Sequence, residues 1–148
     1  MSNEKIPYGA IINHLNKTFK CAFKEEAMKH NINPTYANII MTLARHSLGL
    51  QQNDIAEINH LAAPTVSLTL KQMESLGYII RKHHETDNRK TIVLLTDEGK
   101  LLDDKIKECF KTVESKMISN ISTDDLIHFE KVLGLMKNNL IDEKEIKE

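Results

Sequence analysis

From Tyr8 to Lys29, apolar residues recur at Ile11, Leu15, Phe19, Ala22 and Phe23 with lysines and glutamates between them. Spacing by threes and fours predicts an amphipathic helix. A second helix is expected from Pro34. Asn33 carries the side-chain oxygen that caps a helix start, and Pro34 lacks an N–H where none is needed. Ala37, Ile40, Leu43 and Ala44 form its expected buried stripe, and "SLGL" breaks the pattern. "QQNDIAEINH" predicts a short helix with Ile55 and Ile58 inward. After a brief turn, "LAAPTVSLTLKQMESLGY" predicts another, with Pro64 at its start and Gly77 as a left-handed cap. At about 100° per residue, Val66, Thr69, Leu70, Met73 and Leu76 share one side of it. Pro64, Ser67, Leu68, Lys71, Gln72 and Ser75 share the other, an exposed face with one base and no acid.

The period then changes. "YIIRKHH" and "TIVLLT" read as two strands joined by "ETDNRK". Thr96 is placed to cap a long helix over about residues 97 to 119, with Leu102, Ile106, Cys109, Val113 and Met117 on its apolar stripe. "STDD" at 122–125 matches a capping box. It opens a last helix carrying Leu126, Phe129, Val132, Leu133, Met136 and Leu140, and the charged end "DEKEIKE" is expected to fray. Two short helices in close succession form a helix-turn-helix, and a hairpin directly behind the second is a wing. The fold class is therefore mainly α with a small β-hairpin wing. The apolar stripes of the terminal helices exceed what the small central unit can cover, which points to a second copy of the chain.

Composition narrows the function. The 148 residues amount to a single domain. With 20 Lys+Arg and 21 Asp+Glu the net charge is −1, so any basic surface must be local. The cysteines, Cys21 and Cys109, form no CxxC pair and no disulfide scaffold, and a reducing cytoplasm is the expected location. "MSNEKIPYGAII" does not read as a signal peptide, and no apolar run approaches the roughly 20 residues of a membrane span. No glycine-rich phosphate loop, Gly-x-Ser-x-Gly elbow or HExxH is present, so no enzyme and no cofactor are expected. His83 and His84 are adjacent on a strand and point to opposite faces, a poor arrangement for one metal ion. His14, His30, His46, His60 and His128 are scattered without ligand spacing.

The densest signals lie from Gly49 to Gly99. "GLQQNDIAE", "APTVSLTLKQMESLGYIIR" and "TDNRKTIVLLTDEGK" follow one another in the order and spacing of one family. They include a D-x-R signature at Asp87-Asn88-Arg89 and an LT-x-x-G step from Leu95 to Gly99. The chain resembles the multiple-antibiotic-resistance-regulator (MarR) family of winged helix-turn-helix transcription factors over nearly its whole length. The resemblance implies one domain over 1–148, with a DNA-binding unit at 36–96 and a helical dimerisation region at 5–30 and 97–146. It also implies a homodimer on a pseudo-palindromic double-stranded DNA operator, acting as a repressor and released by a small-molecule effector.

Site residues follow from that frame. Pro64, Thr65, Ser67, Leu68, Lys71 and Gln72 are expected to meet DNA, through phosphates, base edges and, for Leu68, a thymine methyl. In the wing, Arg89 suits a narrow minor groove and Asp87 can orient it, with Lys90 beside them. An effector pocket is expected near His14, Phe19, Tyr36 and Arg45. The sequence departs from the family pattern at Ala62, at Leu68 where arginine is frequent, and at Asn59 where the position is usually apolar. Five bases face five acids between residues 51 and 95, a net of zero. That balance keeps open a winged-helix protein-interaction module, or a ligand sensor without DNA binding, as the alternative.

Overall fold

The computed structural model describes residues 6–84 and 86–141; the side chains of His84, Asn88 and Arg89 lie outside the described set. The element order is α1 (Tyr8–Lys29), α2 (Pro34–Ala44), α3 (Gln52–Ile58), α4 (Ala63–Ser75), β1 (Ile79–His84), β2 (Asp87–Leu95), α5 (Asp97–Met117) and α6 (Thr123–Leu140). This is a mostly helical chain with one two-stranded antiparallel hairpin, as the sequence predicts.

Local signals set most boundaries. Asn33 Oδ1 accepts from the Thr35 N–H at 2.9 Å, and Pro34 occupies the first turn of α2. Ser122 Oγ accepts from the Asp125 N–H at 3.1 Å and opens α6. Gly77, at φ +81°, closes α4 in the left-handed region where a side chain is disfavoured. Thr96 does more than cap α5: it accepts from the Gly99 N–H at 3.1 Å and donates its hydroxyl to the Gly77 carbonyl, tying the end of α4 to the start of α5.

The chain divides into two compact units, Met1–Glu114 and Ser115–Glu148. The first holds the hydrophobic core. Phe23 and Ala27 of α1, Ile39, Ile40 and Leu43 of α2, Ile55 of α3, and Val66, Leu70 and Met73 of α4 are buried together with Ile79, Val93, Ile106 and Cys109. Each burial of a large aliphatic side chain contributes about 1.5–3 kcal/mol. Three expected core positions differ. Ile58 and Leu76 are 47% and 55% exposed because they fall on the last residue of α3 and on the cap of α4, where the chain turns away. Ala44, at the end of α2, is exposed as well, while Ile39 and Thr42 join the buried side. In the second unit α6 has no buried residue; Phe129, Val132 and Leu135 are exposed, and Leu126, Leu133 and Met136 are half-buried.

Candidate nucleic-acid interface

α3 and α4 are joined by a turn in which His60 takes a positive φ of 51°. Asn59, unusual in a position the family fills with an apolar residue, is satisfied on both sides. Its Nδ2 donates to the Ile55 carbonyl at 2.9 Å, and its Oδ1 lies 3.2 Å from the buried Thr42 hydroxyl, whose one proton it shares with the Asn38 carbonyl at 2.9 Å. A hydrogen-bonded polar pair thus replaces an apolar contact without leaving an orphaned group.

α4 starts at Ala63, which places Pro64 within the first turn. Val66, Thr69, Leu70 and Met73 face the core, and Thr69 returns its hydroxyl to the Thr65 carbonyl. Pro64, Thr65, Leu68, Lys71 and Gln72 are exposed, and Ser67 is half-buried. The helix therefore divides as its sequence predicts, and its outward face holds a single charge, on Lys71. Leu68 is 61% exposed in the middle of that face. The acid of α4, Glu74, is turned aside: Arg81 Nε of β1 lies 3.3 Å from its Oε2. Arg81 Nη1 donates to Gln52 Oε1 of α3 at 3.4 Å, so one guanidinium spans α3, α4 and the wing root. The Nε approach is close enough for an ion pair but not aligned for a hydrogen bond.

The hairpin runs further than the sequence suggests. β2 begins at Asp87 rather than Thr91, with a register irregularity between His83 and His84 and a last pairing of His84 with Asp87. Asp87, Asn88, Arg89 and Lys90 therefore belong to a strand, not to a free loop. Asp87 is half-buried and Lys90 exposed. The side chain of Arg89, the residue on which the wing reading rests, lies outside the described residues, as do those of His84 and Asn88. At its root the hairpin gains a third partner. Leu50 and Val93 exchange backbone hydrogen bonds at 3.1 and 2.8 Å. The approach requires glycine at position 49: φ is +83°, and a Cβ there would meet the Val93 carbonyl oxygen at 2.8 Å.

The expected effector residues do not converge. Phe19 lines a hollow of about 420 Å³ with Phe23, Phe110, Pro34, Asn16, Asn38, Lys20 and Lys24. Its floor is aromatic, Phe23 and Phe110 lying 4.3 Å apart by ring centroids, and two lysines stand at its edge. His14 and Tyr36 are not part of its lining, and Arg45 borders a separate hollow with Met41, Asp103 and Phe110. Sequence periodicity places Phe23 on the apolar stripe of α1 and leaves Phe110 off that of α5, so nothing in it marks them as cavity walls.

Cys109 is buried, and burial, followed by the nearby Glu26 carboxylate, pushes its thiol pKa up; Cys21 is exposed. Among the described residues no group of three or more His, Cys, Asp or Glu is arranged to hold a metal ion. No described helix is long and apolar enough to cross a membrane.

A profile of the MarR family matches residues 30–90. An uncharacterized HTH-type transcriptional regulator, YdgJ of Bacillus subtilis (strain 168), is 31% identical over 101 residues, which is 68% of this chain and 62% of that protein. The match thus spans somewhat less than two thirds of that relative's length. A MarR point mutant from E. coli superposes with a TM-score of 0.82 at 17% identity, over 90% of this chain and 98% of the other. A MepR mutant from S. aureus bound to an oligodeoxyribonucleotide matches with a TM-score of 0.62 at 24% identity, over 93% and 100%. These likenesses agree with the winged helix-turn-helix built from α3, α4 and the hairpin, and the chain is similar to the MarR family of transcriptional regulators.

Proposed function

We propose that this chain is a sequence-specific DNA-binding repressor that acts as a homodimer on a pseudo-palindromic operator. The observation that carries the reading is the outward face of α4. Pro64, Thr65, Leu68, Lys71 and Gln72 stand exposed on a helix whose acid is held aside by Arg81. Such a face fits a major groove, offering a helix start to phosphate and Leu68 to a thymine methyl. The hairpin behind it carries Asp87, Arg89 and Lys90 toward the neighbouring minor groove, and half-sites would lie about one DNA turn apart. The exposed apolar positions of α1 and α6, among them Ile11, Leu15, Phe129 and Val132, supply the surface a second copy would cover.

The Phe19–Phe23–Phe110 hollow with Lys20 and Lys24 fits a small aromatic effector carrying negative charge, whose binding would release the operator. One titration tests the central reading: the protein against its own upstream DNA at two salt concentrations. Saturable binding that depends on sequence and weakens with salt supports it. Absence of binding at low salt overturns it in favour of a protein-binding winged helix, the reading that the zero net charge of residues 51–95 favours.

A further inference from the structure

Two residues assigned to different tasks by the sequence meet in the fold. Tyr36, on the first turn of α2, donates its phenol hydroxyl to Gln72 Oε1 on the outward face of α4 at 3.0 Å. Tyr36 is half-buried and packed against the core, whereas Gln72 is exposed. The phenol is therefore anchored, and the amide is the group it holds. A phenol donates more readily than it accepts, because its oxygen lone pair is delocalised into the ring. The carbonyl end of Gln72 thus turns to Tyr36, and the Nε2 amide, a pure donor on an exposed side chain, takes no part in that bond. A free glutamine can offer adenine both a donor and an acceptor. Here one of the two lone pairs of the acceptor end is engaged within the protein, which fixes the orientation of the amide.

Resting on the reading of α4 as a DNA-recognition helix, we infer that Tyr36 is a positioning residue for base specificity. It locks the Gln72 amide so that Nε2 reads an acceptor on a major-groove base edge, as guanine offers through O6 and N7. Tyr36 itself touches no base. Leu68, one turn earlier on the same face, would lie against the neighbouring base step, so the two side chains together read adjacent positions of each half-site.

The test is selection from a random duplex library with the full-length protein, followed by affinity measurements on the selected duplex and its single-base variants. The wild-type chain should enrich an acceptor-bearing purine at one position of each half-site. Tyr36→Phe removes the hydroxyl and keeps the ring. It should reduce discrimination at that one position by roughly fivefold while leaving other positions and the salt dependence unchanged. Gln72→Glu still accepts from Tyr36 but presents an acceptor outward, and it should switch the same position toward cytosine, whose N4 is a donor. A uniform loss of affinity in Tyr36→Phe, or an unchanged base preference in Gln72→Glu, would overturn the inference while leaving DNA binding intact. Failure of the wild-type protein to enrich any sequence would overturn the DNA-binding reading and this inference with it.

Discussion

Leu68 illustrates what a single residue can decide. A branched aliphatic group left mostly exposed on the face of α4 is not accounted for by burial in the core. If it rests on a thymine methyl, Leu68→Ala should lower affinity for the selected operator several-fold and lose the preference for thymine at that base pair, as measured by fluorescence anisotropy. Arg89→Ala should weaken operator binding at least tenfold, since a guanidinium in a narrow minor groove has no neutral substitute; unchanged affinity would sink the wing assignment. The two cysteines should part company chemically. The folded protein should take up one alkyl group, at Cys21, near pH 8, and a second only in denaturant, because the buried Cys109 thiol stays protonated. Intact mass spectrometry reads the difference. The sign for stability follows. The unfolded chain's Cys109 ionises at the ordinary thiol pKa while the folded one does not, so stability is lost as pH rises through that range. At this scale the sequence discloses what is local. The Asn33 and Ser122 caps are legible because donor and acceptor lie within three residues. The Tyr36–Gln72 bond is not, because 36 residues separate its ends.

Elements were easier to foresee in kind than in extent. All six helices announced themselves by periodicity, and the hairpin by its β-branched run. β2 nevertheless starts four residues before the expected Thr91. Asp, Asn, Arg and Lys have poor strand propensity and good turn propensity, so a sequence reading assigns them to the tip. The pairing of Asp87 with His84 across a register irregularity draws the segment into the strand against that preference. Ile58 and Leu76 were misassigned for a related reason: a helical stripe extrapolated to the last turn ignores the change in chain direction there. Gly99 shows how closely elements approach. A Cβ at this position would collide with the Tyr78 carbonyl where β1 begins. Gly99→Ala should therefore lower stability by about 1–3 kcal/mol, read as a drop in the urea midpoint without a change in slope. α6 makes the opposite case, an element with nothing buried. If a second copy covers α6, replacing both Phe129 and Val132 with glutamate should leave a monomer in sedimentation velocity where the unaltered chain sediments as a dimer, while the helical circular dichroism of α1–α5 persists.

For the molecule as a whole, charge sets the terms. Residues 51–95 carry no net positive charge, and Arg81 is already committed to Glu74. Few phosphates can then be neutralised, and affinity must come from shape and base contacts. The logarithm of the binding constant should fall against the logarithm of salt with a slope shallower than about −6 per dimer. A steeper slope would mean that basic groups beyond Lys71, Lys82, Arg89 and Lys90 reach the backbone. Fold class was legible because it depends on the order of short patterns along the chain. The hollow beside Phe19 was legible only in part, because Phe19 and Phe23 come from α1 while Phe110 comes from α5, a distant segment whose approach no local pattern marks.

The exchange of hydrogen bonds between Leu50 and Val93, allowed by Gly49, gives the hairpin a fixed origin on the same unit that carries α4. If α4 and the wing enter adjacent grooves, the distance between them is a property of the protein and not of the encounter. Such a molecule behaves as a gauge. It would accept substitutions within each half-site by degrees, but a single base pair inserted between the two contacts displaces one from the other by about 3.4 Å along the axis and turns it by roughly a tenth of a revolution. A caliper with a rigid jaw cannot follow that change, and operators for this protein should therefore vary in letter far more than in length.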